Sequence, residues 1–184
     1  MSTTTVTALR WLASFTGFPL GGLAAMVLVG PASGAPAAVA GGLLTGAVLG
    51  AVQAWAMRAD RHTAAAWSAA TAVGLAVGLT LGSSLVGFET TLGALAVQGV
   101  VSGAAVGVAQ ALLLRRRLGR LALAWPAYLA GAWALGWTVT TAIGVEVDEQ
   151  FTVFGSAGAL TVAALTGVLP VLLARLDPPA RPAR

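Results

Sequence analysis

The stretch GLLTGAVLGAVQAWAMR, residues 42–58, is followed fifty-seven positions later by GVVSGAAVGVAQALLLR, residues 99–115. Each copy carries three glycines four apart, a glutamine three positions after the last of them, and an arginine five positions further on. Residues four apart on a helix lie one above the other. Gly42, Gly46 and Gly50 therefore draw one smooth stripe, and Gly99, Gly103 and Gly107 a second. In lipid there is little hydrophobic force between helices, and stripes of small residues let two backbones approach closely enough for van der Waals packing to hold them. The pattern predicts a helix-packing seam in each copy. A third, weaker copy is expected in ALTVAALTGVLPVLLAR, residues 159–175, at an offset of 60, with Gly167 joining the seam and Pro170 in place of the glutamine.

The repeat extends beyond these segments. Gly17, Gly74 and Gly131 are spaced by 57, and so are Gly30, Gly87 and Gly144. The three extra residues of the last copy fit in the loop GVEVDEQ, residues 144–150. Each unit reads as a helical hairpin that goes out, turns and returns to an arginine. Three hairpins crossing an even number of times share one orientation, so the expected relation is a pseudo-threefold axis along the membrane normal, a parallel and not an inverted repeat.

Composition places these hairpins in a bilayer: 58% of the 184 residues are hydrophobic and 9% are charged. About 20 apolar residues span a hydrocarbon core, and six runs of that kind lie near 11–30, 36–57, 66–87, 93–114, 123–144 and 152–174. Because lipid offers the backbone no hydrogen-bond partner and the runs lack the alternation of barrel strands, each is read as a helix. The expected fold is an all-α integral membrane protein, a single six-helix domain over 1–176 with a flexible, proline-rich cytoplasmic tail, DPPARPAR, at 177–184.

Charge orients it. All ten cationic side chains are arginines, and they fall at the N-terminus, in the 2–3 and 4–5 loops and at the C-terminus. The other loops carry Glu89, Glu146, Asp148 and Glu149. The positive-inside rule then puts both termini in the cytoplasm. Arginines flanking spans serve orientation and anionic headgroups, so the sequence pI near 11.4 is not read as nucleic-acid binding. Trp11, Trp55, Trp67 and Trp125 fall at the cytoplasmic helix ends, where an amphipathic ring is expected at the interface. No basic n-region precedes the first apolar run, so no cleavable signal is expected. The absence of cysteine excludes disulfides and thiolate metal sites.

Few residues carry chemistry. Gln53 and Gln110 lie about 7 to 8 Å inside the arginine end by helical rise, where an amide needs a partner: the other glutamine, or the carbonyl of Thr166 freed by Pro170. Interhelical glue and a polar lining for a permeant or headgroup are the two readings. The acids Glu89, Glu146, Asp148 and Glu149 form a candidate outer cation cluster or ordinary loop charges. His62 has only Asp60 nearby and makes no metal site. Trp133 and Trp137 pack, face lipid or stack on an apolar ligand. No span holds an ionisable residue, which counts against proton coupling, and no phosphate loop, zinc motif or dinucleotide fingerprint occurs.

The pattern Gly-x-x-x-Gly-x-x-x-Gly-x-x-Gln-x-x-x-x-Arg, at Gly42 to Arg58 and Gly99 to Arg115, resembles a class of uncharacterised bacterial multi-pass membrane proteins. This chain has Gln-Ala at 53–54 and 110–111 where that class has Gln-Trp. The resemblance covers residues 10–175 and implies a six-helix protein of the bacterial inner membrane, with no reaction attached. The expected function is a non-enzymatic scaffold or accessory subunit without a cofactor. Its expected partners are membrane lipids and a membrane protein or a second copy, with no nucleic acid. The alternatives are a channel or transporter along the pseudo-threefold axis and, more weakly, a lipid- or quinone-binding enzyme.

Overall fold

The computed structural model describes residues 3–145, 147 and 153–176, without the side chains of Thr3 and Arg175. The described residues form helices and no strand: α1 (Thr3–Ala13), α2 (Gly17–Leu28), α3 (Ala35–Ala56), α4 (Arg61–Leu85), α5 (Leu92–Leu118), α6 (Trp125–Ala142), α7 (Ser156–Thr166) and α8 (Val168–Leu176). Short 3₁₀ turns join α1 to α2 (Ser14–Thr16) and α5 to α6 (Gly119–Ala124).

Local chemistry sets these boundaries. The Asp60 carboxylate accepts from the His62 and Thr63 amides to start α4, and the Thr91 hydroxyl accepts from the Ala94 amide to start α5. Prolines occupy the first turns of α3 and α6, where a missing N–H costs nothing. Pro19 and Pro170 instead sit inside helical runs, and each leaves the carbonyl four residues earlier without its usual donor. The chain tightens or breaks beside both, at Ser14–Thr16 and at Gly167. Gly30, Gly87 and Gly144 follow α2, α4 and α6 with φ of 92°, 61° and 79°, the left-handed turn that favours glycine.

Among the described residues five helical stretches are long and apolar enough to cross a membrane: Thr4–Leu28, Ala35–Ala56, Arg61–Leu85, Leu92–Ala142 and Ser156–Ala174. The 51-residue stretch Leu92–Ala142 is not one rod. It turns at Gly119, φ 55°, and α6 packs back along α5. The first helix begins at Thr3 and not near residue 11, and α5 runs on through three arginines to Leu118. Apolar content marks where lipid is expected, whereas a helix continues wherever its backbone hydrogen bonds do, so the apolar runs understate both elements.

Each helix packs on its neighbour in sequence, from α2 through α7, and α7 then meets α1 and α2. The result is a ring closed between its first and last members, with α8 packed chiefly on α1. Its outer surface is apolar: Val73, Val77, Leu81 and Leu85 form an exposed stripe on α4, and Leu20, Leu23, Val27 and Leu28 cover α2. Its interior holds Thr45, Thr71, Ser83, Gln98, Ser102 and Gln110, all buried. Helices apolar outside with polar groups turned inward belong in lipid. The protein is a membrane-embedded, multi-pass helical protein.

Candidate functional site

Glycine stripes determine how closely the ring closes. A Cβ placed on Gly42, Gly46 or Gly50 would lie 2.7, 2.6 and 2.6 Å from the Cα atoms of Ala76, Ala72 and Ser68. The partner numbers fall as the glycine numbers rise, so α3 and α4 run antiparallel along this seam. Gly99, Gly103 and Gly107 meet α6 in the same way, at the Trp137 ring and Trp133 backbone, at Leu129 O (2.5 Å) and at Pro126 Cα (2.5 Å). Between them lies a seam that the quoted motif does not contain, with Gly74, Gly78 and Gly82 of α4 against Val106, Ser102 and Gln98 of α5. Its signal was a four-residue spacing plain in GLAVGLTLG, residues 74–82.

Gly167 stands apart. It lies at the junction of α7 and α8, and the nearest groups to a Cβ there are Ala164 O at 3.2 Å and Trp11 Cδ1 at 3.6 Å, so no facing helix backbone approaches it. Gly131, despite its repeat spacing, has nothing within 4 Å. α6 and α7 approach instead through Gly136 and Gly158, where a Cβ on Gly158 would meet the Gly136 backbone.

The two glutamines are bonded to tryptophans. The Trp67 indole N–H donates to Gln53 Oε1 at 2.9 Å, and the Trp125 indole N–H to Gln110 Oε1 at 2.8 Å. The Trp11 indole donates to Thr166 Oγ1 at 3.1 Å, one turn before Pro170. Gln110 Nε2 also donates to Thr71 Oγ1 at 3.0 Å, and the Thr71 hydroxyl donates to Trp67 O at 2.8 Å. A continuous polar girdle thus joins α6, α5, α4 and α3 near the arginine end. The expected partners, the opposite glutamine and the Thr166 carbonyl, are replaced by indoles because a tryptophan at the start of each following helix reaches the amide first. For the same reason Trp11, Trp67 and Trp125 are buried, and of the four expected interfacial tryptophans only Trp55 is exposed. Gln98, a third buried amide, donates to Ser102 Oγ at 3.3 Å, while its Oε1 and the Ser83 hydroxyl oxygen have no partner among the described residues.

Farther in, Phe154 packs against Phe18, Trp133 and Trp137 at centroid distances of 4.9, 5.3 and 5.8 Å. Trp133 and Trp137 are therefore core residues rather than lipid-facing ones. The outer cation cluster is only partly described: Glu89 is exposed in the α4–α5 turn, and Glu146, Asp148 and Glu149 lie outside the described residues. No group of three potential metal ligands occurs among the described residues.

On the arginine side of the girdle is a cavity of about 810 Å³ that sequence reading missed. Arg10 of α1, Arg58 of the α3–α4 turn, and Arg116 and Arg117 of α5 line it, with His62, Asp60 and an apolar wall that includes Leu112, Leu113, Pro170 and Leu173. The Arg10 guanidinium lies 4.6 Å from the Trp55 ring centroid and donates to Trp55 O at 2.6 Å, while its Nε is buried without a partner among the described residues. Arg58 adopts φ 56°, a left-handed conformation that costs a non-glycine residue about 1–2 kcal/mol. Hydrogen bonds from the Thr63 hydroxyl and amide hold the Asp60 carboxyl below its ordinary range, so it remains a carboxylate. Sequence could assign these arginines to one end but not to one cavity, because they come from elements far apart in the chain. Comparison with protein-family models, with curated proteins and with solved structures finds no match to this chain.

Proposed function

We propose that the chain is a non-enzymatic scaffold or accessory subunit of the bacterial plasma membrane. In this reading α1–α2, α3, α4, α5, α6 and α7–α8 form six spans, arranged as three parallel hairpin repeats with the arginine end and both termini in the cytoplasm. The girdle carries the proposal. Its amides, indoles and hydroxyls bond to one another, and the glycine seams beside it close to backbone contact, which suits a packing core better than a lane for a permeant. The repeat is supported by paired contacts that recur 57 residues apart on both partners: Gly17 on Leu49 and Gly21 on Thr45, then Gly74 on Val106 and Gly78 on Ser102.

Topology is tested directly, since the chain has no native cysteine. Single cysteines at His62 and Leu121 label from the cytoplasm, and those at Ser33 and Glu89 from outside. A position that labels from the opposite side removes the six-span arrangement.

The scaffold reading predicts no appreciable flux of protons, monovalent cations or small neutral solutes through the purified protein in liposomes. Ion passage needs groups that replace hydration or a pore wide enough to keep it, and the aromatic cluster of Phe18, Trp133, Trp137 and Phe154 fills the core beyond the girdle. Reproducible flux that disappears in a folded Gln110→Leu variant turns the assignment to the channel or transporter alternative. Proteins that co-purify in mild detergent identify the subunit that this scaffold serves.

A further inference from the structure

We infer that the arginine-lined cavity is a binding site for an anionic phospholipid, with the headgroup phosphate among the guanidinium groups and the upper part of an acyl chain along the apolar wall. The inference rests on the membrane reading above. Four arginines, from α1, the α3–α4 turn and the end of α5, line this one space. The one carboxylate among the described residues lining it, Asp60, gives its oxygens to the amides of His62 and Thr63 and to the Thr63 hydroxyl at 2.9, 3.1 and 2.6 Å. It caps the start of α4, and among the described lining residues the four arginines outnumber it. Arg10 is held in place by the Trp55 ring and carbonyl. A guanidinium pre-positioned beside the cavity suits an oxyanion, since arginine forms charge-assisted N–H bonds to phosphate.

The rest of the wall decides which phosphate. Leu112, Leu113 and Leu173 line the same space, and Leu112 and Leu113 are exposed to the surroundings of the bundle. A free phosphate would leave them in contact with water, whereas a lipid covers them. α8 packs chiefly on α1, and the cavity is lined both by α8, through Pro170, Leu173 and Ala174, and by the end of α5. The volume of about 810 Å³ lies within the usual ligand-site range of roughly 300–1,000 Å³. A basic pocket between spans on the cytoplasmic side is where anionic headgroups bind in general.

The test uses the full chain in an uncharged detergent, with phosphatidylglycerol, phosphatidylcholine and inorganic phosphate as separate probes, read by native mass spectrometry and by the thermal unfolding midpoint. Phosphatidylglycerol is expected to remain bound and to raise the midpoint, and the other two are not. Arg116→Gln and Arg10→Gln should each weaken phosphatidylglycerol binding about fivefold, taking one near-surface arginine as the unit. Arg120→Gln, at the same end but outside the cavity, should leave it unchanged. Arg116 is exposed, so its variant decides the matter even where Arg10→Gln folds poorly. Equal retention of phosphatidylcholine, equal weakening by Arg116→Gln and Arg120→Gln, or full protection by inorganic phosphate overturns the lipid site. Those outcomes leave the cysteine-labelling result untouched, so failure here is distinct from failure of the membrane topology.

Discussion

Gly103→Ala lowers the thermal unfolding midpoint of the purified protein, while Gly131→Ala leaves it unchanged or raises it. The same methyl group is added to the interior of a helix in both variants, so the difference isolates the seam. At Gly103 the new Cβ would lie 2.5 Å from Leu129 O and 3.0 Å from Ala130 Cα, and backbone atoms cannot swing aside as a side chain can. α5 and α6 must separate, at a cost of about 1–3 kcal/mol by analogy with overpacked cores. Alanine's helix preference returns only about 0.5–1 kcal/mol, so separation dominates. At Gly131 nothing lies within 4 Å, and the propensity gain stands alone. Gly103→Leu and Gly46→Leu extend the effect until little folded protein is recovered. Equal midpoints for the two alanine variants, measured at one scan rate, would sink the claim that the seam holds these helices.

The second large effect lies in the girdle. Gln110→Leu strands two groups at once, the Trp125 indole N–H and the Thr71 hydroxyl oxygen that accepts from Gln110 Nε2, in a region where Gln110 itself is 2% exposed. Stranded buried polar groups cost about 1–3 kcal/mol, although single bonds between membrane helices average nearer 0.6 kcal/mol. The higher range is expected here because burial leaves neither group a water or an alternative side chain. Trp125→Phe removes the donor and keeps most of the ring. The double variant should therefore be more stable than the sum of the two single losses implies, by about 1 kcal/mol. Strict additivity would mean that the indole and the amide do not act as a pair.

These predictions show what the sequence could and could not tell. Long apolar runs and the confinement of arginine to alternate connections are properties of single segments, and they are legible without any neighbour. So is the four-residue glycine spacing. Which face of a helix end turns inward is decided by another segment, and that is why Trp11, Trp67 and Trp125 read as interfacial rings when they are buried donors. Gly131 shows the same limit from the other side: it keeps the 57-residue spacing of Gly17 and Gly74, yet α6 meets α7 through Gly136, which faces Val162, and Gly131 faces outward. The arginine cavity was least legible. Its walls are brought together by ring closure and not by any local pattern.

The bond from the Trp11 indole to Thr166 joins residues 155 positions apart, in a molecule whose other main contacts follow the order of synthesis. Contacts between successive helices have little loop entropy to overcome, so hairpins can form one after another as the chain emerges. The first helix must wait. Until α7 is made, α1 has no closing partner and the buried face of Trp11 stays uncovered. Closure is therefore the last event in assembly, and a chain truncated before residue 156 would leave an open arc with an unmatched edge at each end, a ready target for quality-control proteases or for a neighbouring chain.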